Sequence, residues 1–104
     1  MKETNHQGAE KAIAQSITPV LIDLHASWCT HCVKTRPHLE RISAERQGAM
    51  EILGIDTDEE PDAFTMFKVK TLPAIILFSN GVEVARRGSG DYDELVAWLA
   101  ENGI

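Results

Sequence analysis

The segment that most constrains the fold of this chain is residues 20–26, VLIDLHA, a short apolar run rich in residues that favour strands. Its apolar residues do not alternate strictly with polar ones, which is typical of strands buried on both faces of a parallel sheet. Both faces of such a sheet must be covered by helices. We therefore expect an α/β fold built around this strand.

Helical and extended patterns alternate along the rest of the chain. They predict helices at residues 9–17, 30–47, 58–67 and from 91 onward, and further strands at residues 51–55, 74–78 and 82–87. Asn80-Gly81 is a two-residue hairpin signal between the last two strands. The order predicts parallel strands with right-handed crossovers, followed by an antiparallel edge hairpin. The expected fold is a central four-stranded mixed sheet flanked by helices, with an additional N-terminal helix.

Length and composition exclude several classes of protein. The 104 residues predict one domain over residues 1–104, with a flexible terminus at residues 1–8. The net charge of −6 argues against nucleic acid and against an anionic membrane surface as partners. No apolar run approaches the roughly 20 residues that span a bilayer. We expect a monomer in the cytoplasm, or an exported protein if a signal peptide has been removed from it.

The two cysteines, Cys29 and Cys32, lie in a single Cys-x-x-Cys. Two cysteines exclude a small scaffold that is stapled by several disulfides. The pair follows the apolar strand directly and lies where the next helix begins. The free N–H groups and partial positive charge of a helix N-terminus favour a thiolate on Cys29, lowering its pKa from about 8.5. A thiolate is the nucleophile in disulfide exchange, and Cys32, one turn later, can close a disulfide with it.

Three interpretations of this pair compete. A Cys-x-x-Cys between a strand and a helix is typical of a redox-active pair. Half of a structural zinc site would need two further ligands, and no second pair exists, although His25 and His31 are close in sequence. Inert cysteines are the third interpretation, and Trp28 together with the helix start argues against it. We favour the redox-active pair.

Residues 26–32, ASWCTHC, resemble the active-site loop of thioredoxins, and the similarity extends over residues 20–102. Asp23 lies six residues before the first cysteine, where thioredoxins have a buried acid. Pro37 lies five residues after the second, where they have a proline that kinks the helix. The longer N-terminal strand of typical thioredoxins is missing from the pattern. Several spaced motifs together make the resemblance specific.

The resemblance implies the thioredoxin fold and a thiol–disulfide oxidoreductase. Cys29 would form a mixed disulfide with a protein substrate, and Cys32 would release it, with Asp23 as the general base that deprotonates Cys32. Protein disulfides or dithiols would be the substrates. The redox-active disulfide would be the only cofactor, without a metal. Because no dinucleotide fingerprint is present, a reductase or a small thiol would supply the electrons.

The substrate surface follows from the same resemblance. Residues 69–73 resemble the segment that ends in the cis-proline of thioredoxins. This implies that Pro73 is cis and that the Leu72 backbone faces the cysteines, where a substrate segment could add as a strand. Trp28 would pack beside the loop and, with Thr30, form part of the docking surface.

Two departures from the family bear on the chemistry. Thr30-His31 replaces the Gly-Pro of typical thioredoxins, and we expect His31 to stabilise the thiolate and make the protein more oxidising. The alternative is an exposed histidine with little influence. Ile52 stands where the family has a lysine near the acid. His25, two residues from Asp23, would share its face and replace that lysine as a modulator. The alternative is a histidine that fills the place of an aromatic residue.

Two other functions remain open on the sequence alone. One is a redox-sensing or binding module that has this fold and does not turn over a substrate. The other is a metal or metalloid binder that uses both cysteines and a histidine. The charged residues of the second helix, Arg36 among them, are interpreted as a solvated face, and the acidic residues 56–62 as a helix start.

Overall fold

The computed structural model describes all 104 residues, and five strands and four helices form the fold. In chain order they are β1 (Lys2–Glu3), α1 (His6–Gln15), β2 (Val20–His25), α2 (Thr30–Glu45), β3 (Glu51–Asp56), α3 (Ala63–Met66), β4 (Ala74–Ser79), β5 (Val82–Arg87) and α4 (Tyr92–Glu101). The strands lie in the order β1-β3-β2-β4-β5 in one mixed sheet. β1, β3 and β2 are parallel, and β4 and β5 are antiparallel to their neighbours.

Helices cover both faces of β2, as predicted from its apolar run. Val20, Ile22 and Leu24 point to one face and pack in a core that includes Ala9 of α1 and Ala63 of α3. Leu21 points to the other face, where it packs with α2 and α4. Burying one such aliphatic side chain contributes about 1.5–3 kcal/mol. β2 therefore has the central place in the sheet, and its C-terminal end is held firmly where the cysteine loop begins.

The N-terminal residues differ from the expectation. The predicted sheet has four strands and a flexible segment at residues 1–8, whereas Lys2 and Glu3 form a fifth strand that pairs with Leu53 and Gly54 of β3. α1 then begins at His6, with the side chain of Asn5 accepting the N–H of Gly8 at 2.7 Å. A two-residue strand has no periodicity from which it could be recognised, which explains why the sequence pattern missed it.

The third helix is also shorter than predicted, since only Ala63–Met66 is helical within residues 58–67. The Asp56 side chain accepts the N–H of Asp58 at 2.9 Å, and its backbone carbonyl accepts the N–H groups of Glu59 and Glu60. An aspartate that bonds its own local backbone in this way competes with helix formation. The acidic segment is therefore a turn that leads into a short helix.

Local signals elsewhere are confirmed. Asn80 and Gly81 have φ values of 54° and 80°, the left-handed pair that a two-residue hairpin turn requires. At the start of α4 the Asp91 carboxylate accepts the N–H of Glu94 at 2.9 Å, and the Glu94 carboxylate accepts the N–H of Asp91 at 3.1 Å. This capping box satisfies two backbone donors that would otherwise lack partners. None of the helices combines the length and apolar character that a bilayer crossing needs.

The capping box gives a prediction about stability. Replacing Asp91 with Ala removes the side-chain acceptor at the N-cap of α4, and we expect the free energy of unfolding to fall by about 1 kcal/mol. Urea denaturation followed by circular dichroism measures this. Asp93→Ala is the matched control, because Asp93 lies in the first turn without capping the helix. An equal loss in both variants would contradict the assignment of the cap.

Candidate active site

The cysteine loop joins the end of β2 to the start of α2. The Cys29 N–H donates to the Ala26 carbonyl at 3.1 Å, which closes a tight turn, and Cys29 then becomes the N-cap of α2. A disulfide links Cys29 to Cys32, with their Cα atoms 5.2 Å apart. The two sulfurs are thus held in the first turn of the helix, as the sequence predicted.

The sulfur of Cys29 acts as the capping group of this helix. It accepts the N–H of Cys32 at 3.2 Å. An N-cap position normally carries an oxygen acceptor such as Ser or Asp. A sulfur placed there receives a backbone hydrogen bond and the positive end of the helix dipole, both of which favour its anionic form. The site is therefore built to stabilise a Cys29 thiolate when the disulfide is reduced.

Trp28 and the two residues between the cysteines lie at the surface. The Trp28 side chain is 67% exposed and is held by a hydrogen bond from its Nε1 to the Asp58 carboxylate, at 3.0 Å. Thr30 and His31 are exposed, and no hydrogen bond links His31 to either sulfur. Asp58 was not identified from the sequence, because the acidic segment was interpreted as a helix start. The signal available in the sequence was the tryptophan next to Cys29, since an exposed indole at a docking surface needs a hydrogen-bond partner to fix its orientation.

The other side of the disulfide is closed by the loop that precedes β4. The Leu72–Pro73 peptide bond is cis, as the resemblance implied. Leu72 packs against the small buried cluster formed by Ala26, Cys29 and Cys32. The predicted residue Leu72 therefore lies against the cysteine cluster, and the cis-proline Pro73 follows it directly in the chain.

A cavity of about 210 Å³ is lined by both Cys32 and Asp23. Its lining includes Asp23, His25, Cys32, Arg36 and Asp56. Asp23 is 2% exposed, and its burial raises the pKa of the carboxyl from 3.8 to about 6. The charges of His25 and Arg36 act to lower this pKa, and the charge of Glu3 acts to raise it. Burial therefore brings the pKa of Asp23 closer to neutral pH, and its carboxyl lines the same cavity as Cys32.

Arg36 is a site residue that sequence reasoning assigned to a solvated face. Its Nη2 donates to the Glu3 carboxylate at 2.9 Å, and its Nη1 lies 3.5 Å from Nε2 of His25. Ile52, at the position of the family's lysine, is buried in an apolar cluster. The cations near Asp23 thus come from β2 and α2. The spacing of four residues between Cys32 and Arg36, which puts both on one helix face, was the missed signal.

No group of three or more His, Cys, Asp and Glu side chains is arranged to hold a metal ion. His25 directs its Nε2 to the Glu3 carboxylate at 2.7 Å, and His31 lies in a surface groove lined by residues of α2 and of the segment before α4. Neither histidine joins the cysteines in a shared ligand set.

Comparison with known proteins places this geometry in a family. The family model described as Thioredoxin matches residues 1–101. The chain belongs to the thioredoxin family. A thioredoxin of Rickettsia conorii is 32% identical over 91 residues, covering 86% of this chain and 87% of its own. Thioredoxin C-2 of Corynebacterium nephridii is 29% identical over 100 residues, covering 95% and 93%.

A solved structure of chloroplastic thioredoxin z superposes with a TM-score of 0.88, covering 99% of this chain and 94% of that one, at 23% identity. This confirms the thioredoxin fold, with five strands where the sequence predicted four. Thioredoxins are protein-disulfide oxidoreductases, and the paired cysteines are present here. The chain is a thiol–disulfide oxidoreductase with a redox-active Cys-x-x-Cys.

The buried carboxyl leads to a prediction about stability and pH. Above pH 6 Asp23 is ionised in both the folded and the unfolded protein, and its charge costs free energy only in the folded protein, where it is buried. Below pH 3.8 it is protonated in both states, and this cost is absent. Asp23→Asn is therefore expected to raise the free energy of unfolding by up to about 3 kcal/mol at pH 8.

The increase in the free energy of unfolding caused by Asp23→Asn should disappear as the pH falls from 6 to below 4. Denaturation of the oxidised protein across this range measures it, with Asp93→Asn as the exposed control. A gain that is the same at every pH would contradict the buried charge as its cause.

Proposed function

We propose that this chain reduces protein disulfides, or oxidises protein dithiols, by a two-step exchange in which Cys29 attacks and Cys32 resolves. The observation that carries the proposal is the Cys29 sulfur at the N-cap of α2, hydrogen-bonded to the N–H of Cys32. That contact favours a thiolate on Cys29 specifically, since the sulfur of Cys32 lies one turn inside the helix. The two cysteines therefore have different roles.

In the reducing direction, the Cys29 thiolate attacks one sulfur of the substrate disulfide. The substrate S–S bond breaks, a bond between Cys29 and that sulfur forms, and the other substrate sulfur leaves as a thiolate and takes up a proton. The Cys32 thiolate then attacks Cys29, which closes the Cys29–Cys32 disulfide and releases the second substrate thiol. Two electrons pass from the dithiol to the substrate. The reverse sequence oxidises a substrate dithiol.

Asp23 is proposed as the general base for the second step. Its carboxyl and Cys32 line the same cavity, and burial raises the pKa of Asp23 to about 6. A base with a pKa near the working pH combines a useful ionised fraction with useful proton affinity. We infer that His25 and Arg36 together replace the missing lysine, since both place positive charge near this carboxyl.

The substrate is proposed to dock across the exposed ring of Trp28, the exposed Thr30 and the cis-proline loop. Leu72 contacts the cysteine cluster, so a substrate strand that pairs with the Leu72 backbone would bring its disulfide close to Cys29. The Trp28 indole is already oriented by Asp58, which reduces the ordering cost of docking.

The partners proposed are protein disulfides or dithiols on one side and a reductase or a small thiol as electron donor on the other. We further propose that the chain works as a monomer. The cytoplasm is the proposed compartment, because its thiol pools keep such a donor reduced.

The distinct roles of the cysteines can be tested with insulin as substrate, using NADPH and a thioredoxin reductase as the electron supply. Cys29→Ser should abolish insulin reduction. Cys32→Ser should also stop turnover but should accumulate a mixed disulfide, because the attacking thiol remains and the resolving thiol is gone. Mass spectrometry under non-reducing conditions detects this adduct.

Thr35→Ser serves as a control for substitution in α2, because Thr35 is buried three residues beyond Cys32 and carries no proposed role. Accumulation of the adduct on Cys32 in the Cys29→Ser variant would reverse the assignment. If the wild type forms no mixed disulfide and turns over neither insulin nor a dithiol, the proposed two-step exchange with protein substrates is wrong.

The residue between the cysteines gives a prediction about redox potential. We propose that His31 stabilises the reduced form, so that His31→Pro should lower the potential against glutathione by about 30 mV or more, a tenfold change in the exchange constant. His38→Gln is the matched control, since His38 lies on the same helix and in the same groove. Equal potentials for the wild type and His31→Pro would contradict the role of His31.

A further inference from the structure

Asp23, Gly54 and Glu3 form a row across three strands of the sheet. Glu3, at the end of this row, has no role in the proposed exchange mechanism. Glu3 of β1 is the register partner of Gly54 in β3, and Gly54 is the register partner of Asp23 in β2. Register partners in a sheet direct their side chains to the same face. Glu3 and Asp23 therefore point to the face covered by α2, with a glycine between them.

The glycine leaves a gap that the Glu3 side chain occupies. A Cβ atom built at Gly54 would overlap the Glu3 carboxylate, whose atoms are its three nearest neighbours. Any other residue at position 54 would therefore force Glu3 out of this place. Gly54 does not have a left-handed backbone, so its role here is the space that it leaves.

Through this gap the Glu3 carboxylate reaches both basic side chains of the Asp23 cavity, His25 and Arg36. One oxygen lies 2.7 Å from Nε2 of His25, and the other accepts a hydrogen bond from Arg36 at 2.9 Å. His25 comes from β2 and Arg36 from α2, so a single carboxylate joins β1, β2 and α2 at the mouth of the cavity. The His25 side chain is 15% exposed and the Glu3 side chain is 47% exposed, so solvent screens this contact in part.

We propose that Glu3 is a positioning residue of the redox site: it fixes His25 and Arg36 at the cavity mouth and offsets their positive charge, so that Asp23 keeps its affinity for the proton of Cys32. The proposal rests on the proposed function of Asp23 as the base. Without Glu3 the positive charge of Arg36, and that of His25 when it is protonated, would act on Asp23 uncompensated, and the carboxyl would give up its proton more readily.

The other charged groups around the cavity are few. Asp56 of β3 lines it, and Glu40 of α2 lies 3.7 Å from the Arg36 guanidinium on the outer side of the helix. β4 contributes an uncharged neighbour, since the partner of Asp23 there is Ile75. Glu40 thus contacts Arg36 alone, whereas Glu3 contacts both Arg36 and His25.

The test measures the proton affinity of Asp23 directly. Carbon-13 NMR follows its carboxyl through a pH titration of the oxidised full-length protein, in which neither cysteine titrates. Glu3→Gln should lower the pKa of Asp23 by about half a unit or more, a threefold loss of proton affinity. Glu40→Gln also removes one negative charge beside Arg36, and it should change the pKa of Asp23 by less than about 0.2 units. An unchanged or higher pKa in Glu3→Gln, or an equal shift in both variants, overturns the proposal.

A double-mutant cycle tests the route through the gap. Gly54→Ala should displace the Glu3 carboxylate while leaving the net charge unchanged. Glu3→Gln should then have less than half of its effect when it is added to Gly54→Ala. A full effect in that background overturns the proposal, because Glu3 would be acting from elsewhere. Unfolding curves of all variants establish that the titrations report on folded protein.

Failure of this inference and failure of the proposed function have different signatures. The titration needs no substrate and no free thiol. A shift in Glu3→Gln without insulin reduction by the wild type leaves Glu3 as the positioning residue and removes the proposed function. Insulin reduction by the wild type, without a shift of the Asp23 pKa in Glu3→Gln, supports the proposed function and overturns the role of Glu3. Where both hold, the pH midpoint of insulin reduction by Glu3→Gln should move downward with the pKa of Asp23.

Discussion

The capping of α2 by a sulfur depends on the burial of β2 on both faces. Because its aliphatic side chains pack against α1 and α3 on one side and against α2 and α4 on the other, the strand ends at a fixed place in the sheet. The chain then has only a few residues in which to turn before α2 begins, and Cys29 is the last of them. The chemistry at the helix N-terminus is therefore a consequence of core packing, and changes that loosen β2 would also move the sulfur.

The same strand carries a group that works against its burial. Asp23 lies between Ile22 and Leu24, among residues that are almost fully removed from water. A carboxyl in this position makes the native state less stable at neutral pH than a neutral side chain would. Its retention fits a site in which stability is given up for a base that can exchange protons near pH 6. The surrounding groups determine the free-energy cost of burying the Asp23 carboxylate, since His25 and Arg36 reduce this cost and Glu3 increases it.

Features encoded within a few neighbouring residues were predictable from the sequence, whereas those that depend on strand register were not. The burial of β2, the Asn80-Gly81 turn and the capping box at Asp91 each have a local signature. The strand β1 is too short to have a period, and a turn at Asp56 shortened α3. Motif spacing located the cysteines, Asp23 and the cis-proline. It could not locate Glu3 in the site, because the contact of Glu3 with Arg36 depends on which residue of β1 lies opposite Gly54.

The ring closed by the two cysteines spans only three positions of the chain. A disulfide stabilises a protein mainly by restricting the unfolded chain, and in the chain-entropy model a ring this small contributes about 2 kcal/mol, compared with about 3 kcal/mol for a 15-residue loop. Opening the ring therefore costs less stability than opening a long loop would, and the sheet and both large apolar clusters are formed by residues outside it. The protein can gain and lose two electrons repeatedly while its architecture stays in place, as an electron carrier requires.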